Sequence, residues 1–158
     1  MLDEGHSHGA RSSIWIDASP ETVWEVVANV DNLGRYSPET NRTEWLDASR
    51  RHLVGARFRG HNSNGHHAWH TDCMITEFTE PSAFAFDVSP GPDGRFATRW
   101  RYTLAPDGTG THLTESFDSP ILEDRPAEMN PDRHQTLTAM LSATLHAIKE
   151  DIESDRWS

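Results

Sequence analysis

The sequence predicts an α+β domain in which a meandering antiparallel sheet is covered by one long C-terminal helix. Three observations lead there. The pattern along the chain runs strand, two short helices, six strands, long helix. Turn-forming clusters, Asn62-Ser63-Asn64-Gly65, Pro90-Gly91-Pro92-Asp93-Gly94 and Pro106-Asp107-Gly108-Thr109-Gly110, separate the middle strands. The last segment carries one apolar stripe, Leu137, Met140, Leu141, Thr144, Leu145, Ile148 and Ile152, at three- and four-residue steps. An antiparallel sheet has one dry face, and an amphipathic helix is its natural cover.

Residues 1–10 show no apolar alternation and no basic-plus-apolar secretion signal, so they read as a disordered leader. Arg11 to Asp17 alternates, with Ile14 and Ile16 on one face, as a strand does. Ser19 can then cap a helix whose first position suits Pro20, and Val23, Val26, Val27 and Val30 share one side of it. Asp31 to Tyr36 forms a second short helix, ended by Ser37-Pro38. Strands are expected at 41–47, 55–61, 66–78, 83–89, 95–105 and 111–118, and the long helix at 132–154. No repeat or linker divides residues 11–154, so they constitute a single domain, as 158 residues in all would suggest.

Charge and composition narrow the function. Asp and Glu number 25 against 14 Lys and Arg, a net charge of −11, so nucleic-acid phosphates and anionic membranes repel the chain. No apolar run approaches the roughly 18 residues of a membrane span, so no membrane insertion is expected. The single cysteine, Cys73, excludes an internal disulfide and fits a reducing, cytoplasmic setting. Phosphate-binding, dinucleotide-binding, serine-hydrolase and zinc-protease motifs are absent, and no cofactor is expected.

Register is constrained by the need to put apolar side chains on one face. Pairing His61 with His66 across the Asn62–Gly65 turn sets Phe58 opposite Trp69. Continuing, Cys73 faces Phe86, Ile75 faces Phe84, Val88 faces Phe96 and Phe84 faces Trp100. The resulting face is wide and aromatic, with small residues Thr71, Cys73 and Thr98 at its middle. Either the helix stripe fills the space they leave or a ligand does. For the last hairpin, a four-residue loop from Asp107 to Gly110 sets Tyr102 opposite Glu115 and Trp100 opposite Phe117, with Glu115 inward. A five-residue loop sets Arg101 opposite Glu115 on the outer face. The apolar alternation favours the first, and an inward Glu115 would have a raised pKa and serve as acid/base or polar anchor.

Ten histidines invite a metal, but only His61 and His66 approach one another in this register, and two ligands at a wet turn are too few. No metal is expected. His134 sits one helical step before Leu137, near the mouth of any cavity, as a surface residue or as a proton-transfer group. Cys73, mid-strand among apolar neighbours, reads as a small buried hydrophobe.

Several stretches together resemble the SRPBCC (START-like, helix-grip) superfamily, in its polyketide cyclase/dehydrase-like branch. They are residues 14–24, Tyr36-Ser37-Pro38-Glu39, residues 55–62, Trp69 to Cys73, Phe84-Ala85-Phe86, Trp100-Arg101-Tyr102 and residues 110–115. The resemblance covers about residues 11–153. It implies a curved sheet of about seven strands gripping the C-terminal helix around an apolar cavity. Members bind lipids, sterols or polyketides, and some catalyse cyclisation or dehydration. In aromatase/cyclase relatives a cavity arginine helps position the polyketide, whereas Arg57, Arg59, Arg99 and Arg101 take the outward parity here.

The leading expectation is therefore a binding protein, carrier or sequestering, for a hydrophobic small molecule such as a lipid or polyketide-like compound. Trp69, Phe86, Trp100, Tyr102, Leu137 and Leu141 would contact it, with Phe58, Cys73 and Met140 completing the wall. Tyr36 and Glu115 would orient its polar end. A cyclase or dehydratase, with Glu115 or His134 moving protons beside a Tyr36 or Tyr102 hydroxyl, is the alternative. A third is a protein-interaction module whose groove takes a partner helix. A homodimer is compatible with each.

Overall fold

In the computed structural model, which describes residues 7–47, 49, 51–63, 65–89, 98–120 and 131–155, sequence neighbours are mostly sheet neighbours. The strands are β1 (Ser7–Ile16), β2 (Thr40–Trp45), β3 (Arg57–Ser63), β4 (Ala68–Thr79), β5 (Ala83–Ser89), β6 (Thr98–Asp107) and β7 (Gly110–Pro120). They form one antiparallel sheet in the order β1-β7-β6-β5-β4-β3-β2. Helices α1 (Pro20–Val27) and α2 (Leu33–Tyr36), joined by a 3-10 turn at Val30–Asn32, fill the gap between β1 and β2. Helix α3 (Pro131–Asp155) packs against β1, β7, α1 and α2. This is the helix-grip arrangement. Among the described residues no helix is long and apolar enough to cross a membrane.

Local chemistry accounts for the short helices. The Ser19 hydroxyl accepts the Thr22 N–H at 3.2 Å, Pro20 occupies the first turn, and Val23, Trp24 and Val27 are buried. Asn29 caps the 3-10 turn by accepting the Asp31 N–H. At α2, a side chain on Gly34 would put its Cβ 2.5 Å from the Asn41 carbonyl oxygen, so only glycine lets α2 lie this close to β2.

The helix stripe behaves as its spacing requires. Leu137, Leu141, Thr144, Leu145, Ile148 and Ile152 are all buried. The C-terminal half of α3 is fixed by polar contacts at its edges. Lys149 donates to the Trp15 carbonyl at 2.7 Å, the Glu153 carboxylate accepts the Asp17 N–H at 3.0 Å, and the Tyr36 hydroxyl donates to Asp151 at 2.5 Å.

The structure corrects several details of the sequence reading. β1 begins at Ser7, so Ser7–Ala10 pairs with β7 instead of belonging to the leader expected over residues 1–10. A ladder to one neighbour satisfies that backbone without apolar alternation, and residues 1–6 lie outside the described residues. In the β3–β4 hairpin, Phe58 lies opposite Cys73 and Asn62 opposite Trp69, four residues from the expected pairing. The strand runs on through Ser63, and His61 faces His70 rather than His66. Gly65, at φ +93°, supplies the left-handed residue of a turn placed later than expected.

The β4–β5 and β5–β6 pairings each slip by two residues, giving Cys73–Val88, Ile75–Phe86, Phe84–Tyr102 and Phe86–Trp100. Every one of these shifts is even. The expected inner face survives them, because only an odd slip turns a strand over. A bulge between Ile75 and Glu77 is the exception. It brings Phe78 inward, with its ring 5.1 Å from Trp24 and 5.8 Å from Phe84, and leaves Glu77 on the outer face. The β6–β7 pairing has Tyr102 opposite Glu115 and Trp100 opposite Phe117, as the four-residue loop requires. Phe96 lies outside the described residues.

On the outer face the arginines find carboxylates. Arg59 pairs with Asp72 at 2.8 Å, Arg99 with Asp87 at 2.7 Å and Arg101 with Glu77 at 2.8 Å. The two faces therefore carry very different energies. Phe84 is fully buried among Phe78, Phe86 and Tyr102, so Phe84→Ala should cost about 3–5 kcal/mol. Arg99→Ala, at a half-exposed pair, should cost less than about 1 kcal/mol. Urea unfolding of both variants checks the contrast, and comparable losses would contradict it.

Candidate functional site

Between the inner face and α3 lies a cavity of about 150 Å³. Its roof is one side of α3, Met140, Leu141, Thr144 and Ile148, which recur at helical spacing. Val26 and Val27 of α1 with Leu33 and Tyr36 of α2 close one flank. The floor is aromatic: Phe58, Trp69, Phe86, Trp100 and Tyr102 come from β3, β4, β5 and β6. Cys73 and Thr71 sit between them, and their short side chains leave the space.

Glu115 is a buried charged-type residue in this apolar wall. It is 5 % exposed, and its Oε1 has no hydrogen-bond partner among the described residues. Burial pushes its pKa up to about 8, only partly opposed by a hydrogen bond with the Tyr102 hydroxyl across the β6–β7 ladder. At neutral pH the side chain is thus mainly an uncharged carboxylic acid. The Tyr102 phenol is itself driven well above its ordinary value, first by burial and then by Glu115. Burial also pushes the Cys73 thiol up to about 12, so it stays protonated and acts as a small apolar residue.

A second polar group lies on β3 and its neighbours. Asn62 is buried on the inner face, accepting from the Thr40 hydroxyl at 2.7 Å and donating weakly to Gly60 and Thr71 at 3.4 Å. Asn62, Thr40 and Thr71 all line the cavity. Turn-like composition assigns Asn62 to a loop, and the structure corrects that. The signal that reveals it is its parity with Phe58 and Gly60 along one strand face.

Of the residues singled out from sequence, Tyr36, Phe58, Trp69, Cys73, Phe86 and Trp100 line the cavity, as do Tyr102, Glu115, Met140 and Leu141. Leu137 does not. It packs with Phe117, Leu141 and Ala10 in a separate small cluster one helical turn beyond the cavity. Tyr36 lines the cavity edge, but its hydroxyl is engaged with Asp151, where Arg35 joins at 3.3 Å, so it ties α2 to α3. The His134 side chain lies outside the described residues. His61 approaches Glu44 at 2.7 Å on the outer face, and no group of three or more metal-binding side chains occurs among the described residues.

The raised pKa of Glu115 carries a stability consequence. An unfolded glutamate releases its proton near pH ~4.3, whereas the folded one holds it to about 8. Between those values the folded state binds the extra proton, so its stability falls as pH rises and levels off above. Glu115→Gln lacks this titration. Across that window the variant should gain on the parent protein by up to about 1.4 kcal/mol per pH unit in urea unfolding. Parallel pH profiles would mean that Glu115 ionises normally.

Comparison with known proteins agrees with the architecture. Residues 7–153 match the family described as polyketide cyclase / dehydrase and lipid transport. No curated protein matches the sequence. Among solved structures, the Polyketide_cyc-like protein Cgl2372 from Corynebacterium glutamicum is 25% identical, with a TM-score of 0.65 over 94% of this chain and 93% of that one. The di-domain ARO/CYC StfQ of the steffimycin biosynthetic pathway superposes with a TM-score of 0.76 at 11% identity. That superposition covers 98% of this chain and 53% of StfQ, so the chain spans about half of that protein. Ara h 8.0201 is 14% identical with a TM-score of 0.71, over 94% of this chain and 99% of that one. At such identities the last two likenesses concern the fold alone. The match over residues 7–153, on a helix-grip sheet with an apolar cavity, makes this chain a member of the polyketide cyclase/dehydrase and lipid transport family.

Proposed function

We propose that the chain binds a hydrophobic small molecule, a lipid or polyketide-like compound, in the cavity between the sheet and α3. The observation that carries this reading is an apolar, aromatic cavity holding one buried acid with an unpartnered oxygen. An apolar ligand gains by leaving water, and a polar atom on it would satisfy Oε1 of Glu115. The free, buried thiol of Cys73 suits a carrier working in the reducing cytoplasm. StfQ, by its description a di-domain ARO/CYC protein of the steffimycin biosynthetic pathway, shares this fold.

A specific observation favours an enzymatic reading as well. An acid held at about 8 is protonated at neutral pH yet able to release its proton, as a general acid of a cyclase or dehydratase must. The two readings separate on Glu115→Gln. A carrier keeps its affinity apart from a modest polar loss, whereas an enzyme loses about 100-fold or more in kcat with binding little changed.

Native mass spectrometry of freshly purified protein is the direct test. A retained, non-covalent apolar molecule is expected. It should be lost in Met140→Trp, which fills the cavity from α3, provided the variant keeps its helical circular dichroism. Repeated absence of any bound molecule, or equal retention in the variant, would contradict binding at this site.

A further inference from the structure

The cavity's charge pattern is one-sided. Among the described residues its ionisable lining groups are Tyr36, Glu39, Cys73, Tyr102 and Glu115, side-chain types that carry no positive charge. Among the described lining residues there is no Lys, Arg or His. The arginines of β3 and β6 lie on the other face, where Arg59, Arg99 and Arg101 are held by Asp72, Asp87 and Glu77. A ligand carboxylate entering this space would lose its water and meet no counter-charge among the described lining residues. Ordinary fatty-acid-type ligands are therefore disfavoured.

Glu115 adds a positive requirement. Its carboxyl sits in the wall, 5 % exposed, with Oε1 unpartnered among the described residues. A buried polar atom without a partner is costly and calls for one. Given that the cavity binds small hydrophobic molecules, the geometry points to uncharged ligands carrying a hydrogen-bond-accepting oxygen, such as a ketone or ester carbonyl, which the Glu115 carboxyl holds as donor. The carboxyl's burial keeps it protonated at neutral pH, which is the form that can donate. Tyr102 and Cys73 stay neutral well into the alkaline range, so between about pH 6 and 9.5 they do not change the charge of the wall. A cationic amine is the competing class. It would require Glu115 to ionise and an ion pair to form in an apolar site, where desolvation opposes it.

One-ring probes match a cavity of about 150 Å³, since an apolar protein cavity of roughly that volume takes up benzene. Acetophenone offers a carbonyl, cumene replaces it by a methyl group, benzoate makes it an anion, and 1-phenylethylamine carries a cation. Titrations followed by ligand-observed NMR at about pH 6 and pH 9.5 give the affinities. At the lower pH acetophenone should bind at least about 10-fold more tightly than benzoate, the cost of an unpaired buried charge. At the higher pH acetophenone should weaken by about 5- to 50-fold, as a donor becomes a charged acceptor, while cumene changes by less than about 3-fold. In Glu115→Gln, whose amide donates at both pH values, acetophenone should lose this pH dependence. Parallel pH dependence for acetophenone and cumene, tight benzoate binding, or a preference for the amine would overturn the inference and leave cavity binding intact. Failure of both cumene and acetophenone to bind would overturn the binding reading along with it.

Discussion

A single helix cannot cover the dry face of a seven-stranded sheet, and most of this structure follows from that mismatch. Six inter-strand spacings of ~4.8 Å make the face roughly 29 Å wide, while a helix with its side chains is about 10–12 Å across. Curvature brings β1 and β7 up against α3, and α1 with α2 covers a further strip. What remains uncovered is the middle of the face, where Thr71 and Cys73 are too short to reach the helix and the cavity opens. The core proper, Ile16, Val23, Phe84, Leu113, Leu145 and Ile148, is displaced toward the end where α1 crosses. Stability and ligand space are thus divided along the length of one helix, with Ile148 serving both.

Placing Glu115 on that wall works against stability at neutral and alkaline pH. A leucine of similar volume would pack without a desolvation cost, as Leu113 does two residues earlier on the same strand face. Tyr102 satisfies only part of the carboxyl. A group that is costly to bury and incompletely partnered is the signature of a site shaped for something else to complete it. The outer face shows the contrast. There, Asp72, Asp87 and Glu77 meet arginines at 2.7–2.8 Å and their hydrogen bonds are made within the sheet.

Parity is far easier to read from the sequence than register. Whether a strand residue points in or out depends on alternation. Phe58, Trp69, Phe86, Trp100, Tyr102 and Glu115 therefore fall on one face as expected, although three hairpins are misaligned by two or four residues. Register depends on where the turn begins, and Asn62-Ser63 has turn-like composition while being held in β3 by Thr40 and Thr71. Phe78 escapes the pattern because a bulge breaks alternation without a marker residue. Ser7–Ala10 escapes it because an edge strand can be fixed mainly by its ladder, here to β7, with Ala10 adding a small apolar contact. Leu137 belongs to the helix stripe, but a stripe does not tell where along its length the sheet falls away. The polar contribution of Asn62 requires the true register and emerges only with the pairing of β3 and β4.

The protonation of Glu115 joins the cavity to the kind of molecule it takes. A carboxyl ¹³C titration of glutamate-labelled protein, with Glu115→Gln identifying the resonance, measures it directly. A midpoint near 8 that moves higher when acetophenone is present is the expected result, since a ligand that prefers the protonated form must raise its pKa. A midpoint in the ordinary range near ~4.3, unmoved by ligand, would contradict a neutral donor in the cavity wall.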